Sequence, residues 1–236
     1  MTARELAWDG FRVITPERFW KVAWPIARLP VNLISDLRVW GGERVPRSGP
    51  VVLAANHRSF YDPFVLGVAM RRPVFYMAKA ELWDAPLLGR ILPHGGAFPV
   101  RRGEVDRGAL ESSREILDRG DVLGIFIDGT RHHESAVGDV RAGGAMIAAQ
   151  AGAPVVPVYL HGTGRVVDEP RAPVSVSFGR PLMIAGRGSK AYRVGADEIA
   201  VELSRLQAFA ESAERAGRPR NAIPPERLHP SEDESS

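Results

Sequence analysis

From Pro50 onward, short uninterrupted apolar runs alternate with segments of helical spacing, and this alternation constrains the fold most. A strand buried on both faces has a continuous apolar run, whereas a strand with one solvent face alternates polar and apolar side chains. The predicted strands are Val51–Ala55, Val74–Ala78, Gly96–Val100, Val122–Ile127, Val155–Leu160 and Val174–Phe178. The predicted helices are Tyr61–Met70, Val105–Arg119, Ala142–Ala151 and roughly Val194–Ala216. Strands alternating with helices predict an α/β domain with a largely buried sheet.

The first forty residues differ in character, because aromatic and basic side chains are interleaved there. Three of the five tryptophans lie between Trp8 and Trp24, among several arginines. Thr15 followed by Pro16 predicts a helix start, and Pro25 predicts a kink or an end of that helix. An amphipathic helix of this composition suits a membrane surface, and it equally suits a helix packed on the domain with its tryptophans in the core.

We therefore divide the chain into three parts with one domain at the centre. Residues 1–40 are predicted to be an aromatic and basic helical segment close to the membrane. Residues 41–216 are predicted to form the α/β domain, whose size fits a single hydrophobic core. Residues 217–236 are rich in proline, serine and charged side chains, and they are predicted to be a disordered tail.

The absence of cysteine from the 236 residues excludes several classes of site. Disulfides, thiolate zinc sites, iron–sulfur clusters and a cysteine nucleophile all require this side chain. The N-terminus carries Arg4, Glu5 and Asp9 without an apolar stretch, so we expect no signal peptide. The longest run without a charged side chain, Ala142–Gly164, is interrupted by glycine and proline, so we expect no membrane-spanning helix.

The basic residues are almost entirely arginine. The formal net charge is +3, and among 31 Lys and Arg residues only Lys21, Lys79 and Lys190 are lysine. Arginine offers phosphate or carboxylate a planar, permanently charged fork, which favours an anionic partner. The alternative is that the arginines are simply spread over the surface. Because no nucleic-acid motif occurs and arginine lies in every segment, we predict no nucleic-acid partner.

His57 and Asp62 are the strongest candidates for catalysis, because they follow the end of a buried strand. The run Val51–Ala55 leads directly into Asn56 and His57, and Asp62 lies five residues beyond the histidine. Open α/β sheets bind ligands at the carboxyl ends of their strands. A carboxylate that holds an imidazole selects its tautomer and stabilises the imidazolium, which suits a general base. The alternative is that Asp62 only charges the helix N-terminus and that His57 is a turn residue.

Two further features have competing interpretations. Ser59 lies beside His57 and could be a nucleophile, but its spacing to Asp62 favours a helix N-cap, and no G-x-S-x-G turn is present. The run His132–Glu134 contains two histidines and a glutamate, which invites a metal site. Adjacent side chains of an extended segment point in opposite directions, and no third ligand stands at a useful spacing. We therefore expect no metal.

Four short blocks follow one another between about residues 40 and 185. They are Asn56–Asp62, which reads N-H-x-S-x-x-D, then Gly96–Arg102, Phe126–Arg131 and Val155–Val158. In this order they resemble the motifs of the glycerolipid acyltransferases, the 1-acylglycerol-3-phosphate (lysophosphatidic acid) acyltransferase family. Ordered agreement of four blocks is more specific than any one of them. The resemblance implies that family's fold, a single α/β domain whose mostly buried mixed sheet is flanked by helices.

The resemblance also implies a reaction, the transfer of a fatty acyl group from acyl-CoA or acyl carrier protein to a lysophospholipid hydroxyl. His57 would remove the proton from the hydroxyl, and Asp62 would orient His57. No cofactor or metal is expected, because the thioester is already activated. Arg102 would hold the phosphate of the acceptor, with Arg101 and Lys79 as further candidates.

The third block departs from the family's usual F-P-E-G-T-R. Ile127 stands in place of the proline and Asp128 in place of the glutamate. Gly129 still allows a tight turn, and Thr130 and Arg131 still offer donors to a phosphate or a glycerol. We therefore predict the family's reaction type with a variant acceptor lipid.

The hydrophobic tail of such an acceptor requires access to a membrane. We therefore expect a cytoplasmic enzyme that is peripheral on the inner face of the cell membrane, with the aromatic N-terminal segment facing lipid. The alternative function is a lysophospholipid hydrolase or transacylase that uses the same His57–Asp62 pair on water or on another lipid.

Overall fold

The computed structural model describes residues 17–101, 106–127 and 140–226, which contain one seven-stranded sheet with helices on both faces. The strands are β1 (Ser35–Trp40), β2 (Val51–Ala55), β3 (Val74–Lys79), β4 (Ala97–Val100), β5 (Val122–Phe126), β6 (Val155–His161) and β7 (Ala172–Phe178). The helices are α1 (Glu17–Ile34), α2 (Asp62–Ala69), α3 (Pro86–Ile91), α4 (Arg107–Asp118), α5 (Ala142–Ala151) and α6 (Ser189–Arg215). All the strands and helices predicted from Pro50 onward are present, with ends that differ by a few residues.

The order of the strands places β2 at the centre of the sheet. The order is β1-β7-β6-β2-β5-β3-β4; β6 and β7 pair antiparallel, and every other neighbouring pair is parallel. The prediction of a single α/β domain with a mixed sheet is therefore confirmed. Because β2 to β6 all run the same way, their carboxyl ends meet at one edge of the sheet, and His57 follows β2 at that edge.

Alternating side chains of the central strands build two apolar layers, one on each face of the sheet. On one face, Val52 and Leu123 belong to a core that also includes side chains of α4, α5 and α6. On the other face, Leu53 and Val122 belong to a core that includes side chains of α1 and α2. Strands covered on both faces need apolar side chains at every position, which explains their continuous apolar runs.

The boundary predicted at residue 40 is wrong, because Ser35–Trp40 is a strand of the sheet. β1 pairs in parallel with β7, where Leu37 lies opposite Val174. β1 is an edge strand with a single neighbour, and within it only Ser35 and Trp40 are buried. An edge strand of this kind lacks the continuous apolar run on which the other strand predictions rest.

Helix α1 continues through Pro25 and Pro30, so the helix does not end at Pro25, which was one of the two predicted effects of this proline. An internal proline removes a helix hydrogen bond and costs roughly 3 kcal/mol, so tertiary packing must outweigh this cost. The indole Nε1 of Trp24 donates to the Met70 carbonyl at 2.9 Å, and Val31 is buried against the core beside α2. The predicted helix start at Pro16 lies outside the described residues.

None of the described helices combines the length and the apolar character needed to cross a bilayer.

The prediction of a disordered tail is wrong for residues 217–226, which lie against the domain. Arg44 donates to the carbonyl of Pro224 at 2.6 Å, and the indole of Trp40 donates to the carbonyl of Pro219 at 2.9 Å. Arg218 donates to Asp36 of β1 at 2.8 Å. Prolines lack a backbone N–H but keep their carbonyls, and side-chain donors of the domain bind these acceptors. Residues 227–236 lie outside the described ranges.

Candidate active site

The structure brings His57 and Asp62 into contact at the carboxyl end of β2. The loop of residues 56–61 joins β2 to α2 and turns back, so that the carboxylate at the start of α2 reaches the imidazole. His57 Nδ1 lies 2.8 Å from Asp62 Oδ2. Asp62 is fully buried and His57 is 6% exposed. The five-residue spacing therefore corresponds to one compact turn.

Asp62 Oδ2 also organises the loop that carries His57. The backbone N–H groups of Arg58 and Ser59 donate to this same oxygen, at 2.6 and 2.8 Å. Pro63 lies in the first turn of α2, where its missing N–H needs no partner. One carboxylate oxygen thus accepts three hydrogen bonds, which compensates for the burial of its charge.

These contacts favour one tautomer of His57. Asp62 Oδ2 already accepts from two backbone N–H groups, so a proton on Nδ1 that donates to the same oxygen suits the site best. The basic lone pair is then on Nε2. In this arrangement the imidazole can accept a proton at Nε2 while Asp62 holds its orientation.

Ser59 precedes the assigned start of α2 at Asp62, but it makes the bonds predicted for an N-cap, because its N–H donates to Asp62 Oδ2 and its hydroxyl accepts from the Tyr61 N–H. The residue before the helix is Tyr61, which makes no side-chain capping bond. The hydrogen bond from the Tyr61 N–H to the Ser59 hydroxyl is 3.3 Å long, and Ser59 itself is buried. Its side chain supports the turn between His57 and Asp62, as serine hydroxyls often do in tight turns.

Two aromatic rings beside His57 were not assigned a role from the sequence. The imidazole stacks on the ring of Phe126, with centroids 4.4 Å apart and an interplanar angle of 26°. The ring of Tyr76 is nearly parallel to that of Phe126, with the two ring centroids 6.1 Å apart and an interplanar angle of 14°. Phe126 ends β5, the strand next to β2, and the position of a strand-end aromatic within the third block is the signal that could have identified it.

Asn56 is a second residue whose role is visible only in the structure. Its side chain is fully buried and spans from β2 to β6, donating to the Leu160 carbonyl at 3.0 Å and accepting from the Leu160 N–H at 2.7 Å. The amide thereby replaces a pair of backbone hydrogen bonds where β2 has ended. It holds the residue before His57 at a defined distance from β6.

Lys79 and Arg101 lie at the same edge of the sheet as His57. Lys79 ends β3, is exposed, and forms an ion pair with Glu81 at 3.3 Å. Arg101 follows β4, and its backbone N–H donates to Asp106 at 2.7 Å. With neighbouring strands about 4.8 Å apart, β3 and β4 stand about 10 and 14 Å from β2. Both residues therefore lie at the edge of the sheet that carries the dyad; β5 stands between Lys79 and the dyad, and β5 and β3 stand between Arg101 and the dyad.

The remaining predicted binding residues, Arg102, Asp128, Gly129, Thr130 and Arg131, lie outside the described ranges. The described chain does reach Ile127, whose N–H donates to the Ala55 carbonyl at 3.0 Å. The third block therefore begins beside the strand end that carries His57. The run His132–Glu134 also lies outside, and no group of three His, Asp or Glu side chains in the described part is placed to hold a metal ion.

An apolar cavity of about 280 Å³ lies between the sheet, α4 and α5. It lies at the carboxyl ends of β3, β4 and β5, and Phe126, which stacks on His57, is one of its lining residues. Its walls include Met77, Leu110, Ile125 and Met146, and Arg141 stands among them as the one basic lining residue in the described part. The cavity offers space for an alkyl chain next to the edge where the dyad lies.

His161 joins the end of β6 to α6 rather than the dyad. Its Nε2 bonds to the Glu214 carboxylate, to which Arg165 also donates at 2.8 Å. Burial acts to raise the pKa of Glu214, but the hydrogen bond from Arg165 and the charges of His161 and Arg165 outweigh it and hold this pKa below its usual value. The cluster fastens the last turn of α6 to the sheet.

Comparison with known proteins identifies relatives over the part of the chain that carries the dyad. The sequence model of the Acyltransferase family matches residues 36–161. A 1-acyl-sn-glycerol-3-phosphate acyltransferase of Bacillus subtilis is 31% identical over 133 residues, covering 56% of this chain and 66% of the relative. A lyso-ornithine lipid O-acyltransferase of Pseudomonas aeruginosa is 32% identical over 161 residues, covering 68% of this chain and 60% of the relative. The chain thus spans less than two thirds of the length of these relatives.

The fold also matches a solved structure. The crystal structure of the 1-acyl-sn-glycerophosphate (LPA) acyltransferase PlsC from Thermotoga maritima superimposes with a TM-score of 0.61 at 20% identity. The match covers 90% of this chain and 87% of that one. At this level of identity the likeness concerns the fold, the same α/β arrangement of a mixed sheet flanked by helices.

Proposed function

Because this chain belongs to the Acyltransferase family, we propose that it moves a fatty acyl group from acyl-CoA or acyl carrier protein to the hydroxyl of a lysophospholipid. The observation that carries this proposal is the buried His57–Asp62 pair at the carboxyl end of the central strand, within the matched range. Relatives named as 1-acyl-sn-glycerol-3-phosphate acyltransferases support an acceptor of the lysophospholipid type.

In the proposed reaction, Nε2 of His57 takes the proton from the acceptor hydroxyl while the hydroxyl oxygen attacks the thioester carbonyl. The tetrahedral intermediate collapses with loss of the thiolate, which receives the proton from His57. The products are the acylated lipid and the free thiol of the carrier. Asp62 keeps the imidazole oriented and stabilises its positive charge. The scheme uses neither a metal nor an acyl-enzyme, so chelation with EDTA is expected to leave the rate unchanged.

Basic residues at the same sheet edge are the proposed binding site for the acceptor's headgroup. We assign Arg102 as the main phosphate ligand, with Arg101, Lys79 and Arg131 as additional donors, because charged donors grip phosphate oxygens strongly. The position of Arg101 and Lys79 at the ends of β4 and β3 supports this assignment. Asp128, Gly129 and Thr130 would complete the site from the adjoining block.

The third block bears on the headgroup of the acceptor lipid. Ile127 and Asp128 depart from the family's third motif, and similar proteins act on more than one lysolipid, including a lyso-ornithine lipid. We therefore propose that the acceptor differs from lysophosphatidic acid in its headgroup. Turnover with 1-acyl-glycerol-3-phosphate, lysophosphatidylglycerol and lyso-ornithine lipid, compared as kcat/KM, tests this point. A clear preference for 1-acyl-glycerol-3-phosphate would contradict the variant acceptor and leave the reaction type intact.

A membrane surface is the proposed source of the acceptor, on the inner face of the cell membrane. Ile26, Leu29 and Leu33 are exposed along α1 at helical spacing. Phe60 and Phe64, whose ring centroids are 5.7 Å apart, are exposed at the start of α2, which α1 contacts. Apolar side chains on neighbouring surface helices can enter the headgroup region and add binding energy in proportion to the buried area.

Co-sedimentation with vesicles of phosphatidylglycerol and phosphatidylethanolamine tests this surface. A Leu29→Ser/Leu33→Ser variant is expected to bind vesicles at least about 30-fold more weakly, since each leucine contributes roughly 1–2 kcal/mol when buried. Val194→Ser/Val201→Ser is the control, because these two residues are also apolar and exposed but lie on α6. Equal losses in the two variants would exclude α1 as the contact surface.

The proposed reaction is tested by measuring thiol release from acyl-CoA with and without lysolipid. Release that depends on the acceptor, with formation of the diacyl product, is expected for the wild type and is expected to be abolished by His57→Ala. Release without an acceptor would support the hydrolase alternative. If neither occurs, acyl carrier protein is supplied as the donor, and failure with both donors contradicts the proposed function.

A further inference from the structure

The ring of Phe126 contacts two other rings, the imidazole of His57 and the buried ring of Tyr76, and these three residues form the ring stack. His57 and Phe126 are nearly parallel at 4.4 Å, and Phe126 and Tyr76 are nearly parallel at 6.1 Å. Tyr76 is buried within the core on the α2 face.

The sheet holds the rings of Phe126 and Tyr76 in place. Phe126 ends β5 and pairs with Ala55 of β2, and the next N–H donates to the carbonyl of Ala55 at 3.0 Å. Gly124, two residues before Phe126, leaves the space that the ring of Tyr76 occupies, because a Cβ there would lie 2.6 Å from Cε1 of Tyr76. The glycine therefore allows the Tyr76 ring to lie against β5 beside Phe126.

We propose that Phe126, supported by Tyr76, is a positioning residue for His57: the flat face of its ring holds the plane of the imidazole and stabilises the imidazolium that forms during proton transfer. This inference rests on the proposed function, in which His57 is the general base. Asp62 holds the Nδ1 atom of the imidazole, and the ring of Phe126 lies against the face of the imidazole. The two contacts act on different parts of the side chain, so the stacked ring adds a restraint on the plane of the imidazole.

The chemistry of the stack favours the charged form of the base. The face of an aromatic ring carries negative potential and attracts a cation placed over it. His57 is neutral before the reaction and positive after it has taken the proton, so the attraction is stronger in the transition state than in the ground state. An interaction of this kind raises kcat with little effect on the binding of substrate.

The test compares Phe126→Leu with Phe126→Tyr, using Phe75→Leu as control. Leucine keeps the apolar volume and removes the flat face, whereas tyrosine keeps the ring. Phe75 lies beside Tyr76 in β3 but is buried on the opposite face of the sheet. We expect Phe126→Leu to lower kcat by about 3- to 30-fold, with the KM values for both substrates within about twofold of wild type. The kcat of Phe126→Tyr should stay within about threefold of the wild-type value, and the kcat of Phe75→Leu should be unchanged.

Three results would overturn the proposal. Unchanged kcat in Phe126→Leu would show that the stack is not used. Equal losses in Phe126→Leu and Phe126→Tyr would show that the position is sensitive to any change. A rise in KM at constant kcat would show that Phe126 contacts substrate instead of acting through His57.

A second readout does not depend on activity, so it separates this inference from the proposed function. The Nδ1–H proton of His57 is expected as a sharp downfield proton NMR resonance that is absent in His57→Ala. It should broaden in Phe126→Leu and stay sharp in Phe126→Tyr and Phe75→Leu, because the ring stack restrains the imidazole. A sharp signal in Phe126→Leu would contradict the positioning role even if the chain proved to catalyse another reaction.

Discussion

Replacing Asp62 by asparagine is a sharp test of the dyad, because the surrounding donors dictate how the amide must lie. The backbone N–H groups of Arg58 and Ser59 both point at Oδ2, at 2.6 and 2.8 Å. An amide NH2 placed there would face two donors, so its oxygen takes this position. That oxygen still accepts from Nδ1 of His57, and the tautomer is retained. Asp62→Asn therefore removes the negative charge and keeps the geometry.

The size of the effect follows from the lost charge. Two unit charges about 4 Å apart interact by about 4 kcal/mol at an effective dielectric constant of 20. If about half of the positive charge has developed on the imidazole in the transition state, the loss is about 2 kcal/mol, or roughly 30-fold in kcat. In serine proteases the same substitution lowers kcat by about 10⁴, because the histidine adopts the wrong tautomer.

Asp62→Ala is expected to lower the stability of the fold more than Asp62→Asn does. It leaves the backbone N–H groups of Arg58 and Ser59 buried without their acceptor. Each unsatisfied donor costs about 1–3 kcal/mol, so the free energy of unfolding should fall by about 2–6 kcal/mol. Asp62→Asn should lose about 1–3 kcal/mol, since its NH2 group replaces Oδ1, a buried oxygen without a hydrogen-bond partner in the described part of the chain.

The assays are thiol release under saturating acyl donor and lysolipid, and unfolding in urea. The expected order is wild type, Asp62→Asn, then Asp62→Ala, both for kcat and for stability. A folded Asp62→Asn protein as inactive as His57→Ala would refute the argument that the two backbone donors orient the amide. Full activity in Asp62→Asn would show that the buried charge makes no contribution.

Three further predictions concern the surroundings of the dyad. Ser59→Ala should retain activity within about threefold of wild type, because its hydroxyl only supports a turn; loss as complete as in His57→Ala in the thiol-release assay would contradict direct transfer. Asn56→Ala should lower the free energy of unfolding in urea by about 2–4 kcal/mol, since both backbone groups of Leu160 lose a buried partner. A change below about 0.5 kcal/mol would show that the hydrogen bonds between Asn56 and Leu160 do not stabilise the fold. Glu214→Gln should lower it by about 0.2–1 kcal/mol at pH 7, a small amount because the ion pair is partly exposed to solvent. The depressed pKa of Glu214 means that this difference is present above its ordinary pKa of 4.5 and disappears as the pH falls through the folded value; a constant difference down to pH 3 would contradict the assignment.

The sequence was sufficient to predict the strands at the centre of the fold and the residues of the dyad. Strands such as β2 and β5 are covered on both faces, so burial requires apolar side chains at every position and leaves a continuous signal. His57 and Asp62 are only five residues apart, and a local turn joins them. Interactions that are short in sequence can be inferred from spacing and turn chemistry.

Features that depend on distant parts of the chain could not be predicted in this way. β1 becomes a strand because β7 and the segment after α6 supply its partners, including Arg218 for Asp36. Residues 217–226 are ordered by donors such as Arg44, 180 residues earlier in the chain than Pro224. Neither segment carries the apolar run that signals a buried element.

The same distinction applies to the site. The residue types and their spacing determined that a histidine and a carboxylate would share a strand end, because short-range geometry follows from the local chain. Only the tertiary structure decided that Phe126 stacks on the imidazole and on Tyr76 and that Asn56 bridges to Leu160, since these contacts arise from the order of strands β6, β2, β5 and β3. The order of strands in a sheet is set by the packing of the whole chain, which no local pattern encodes.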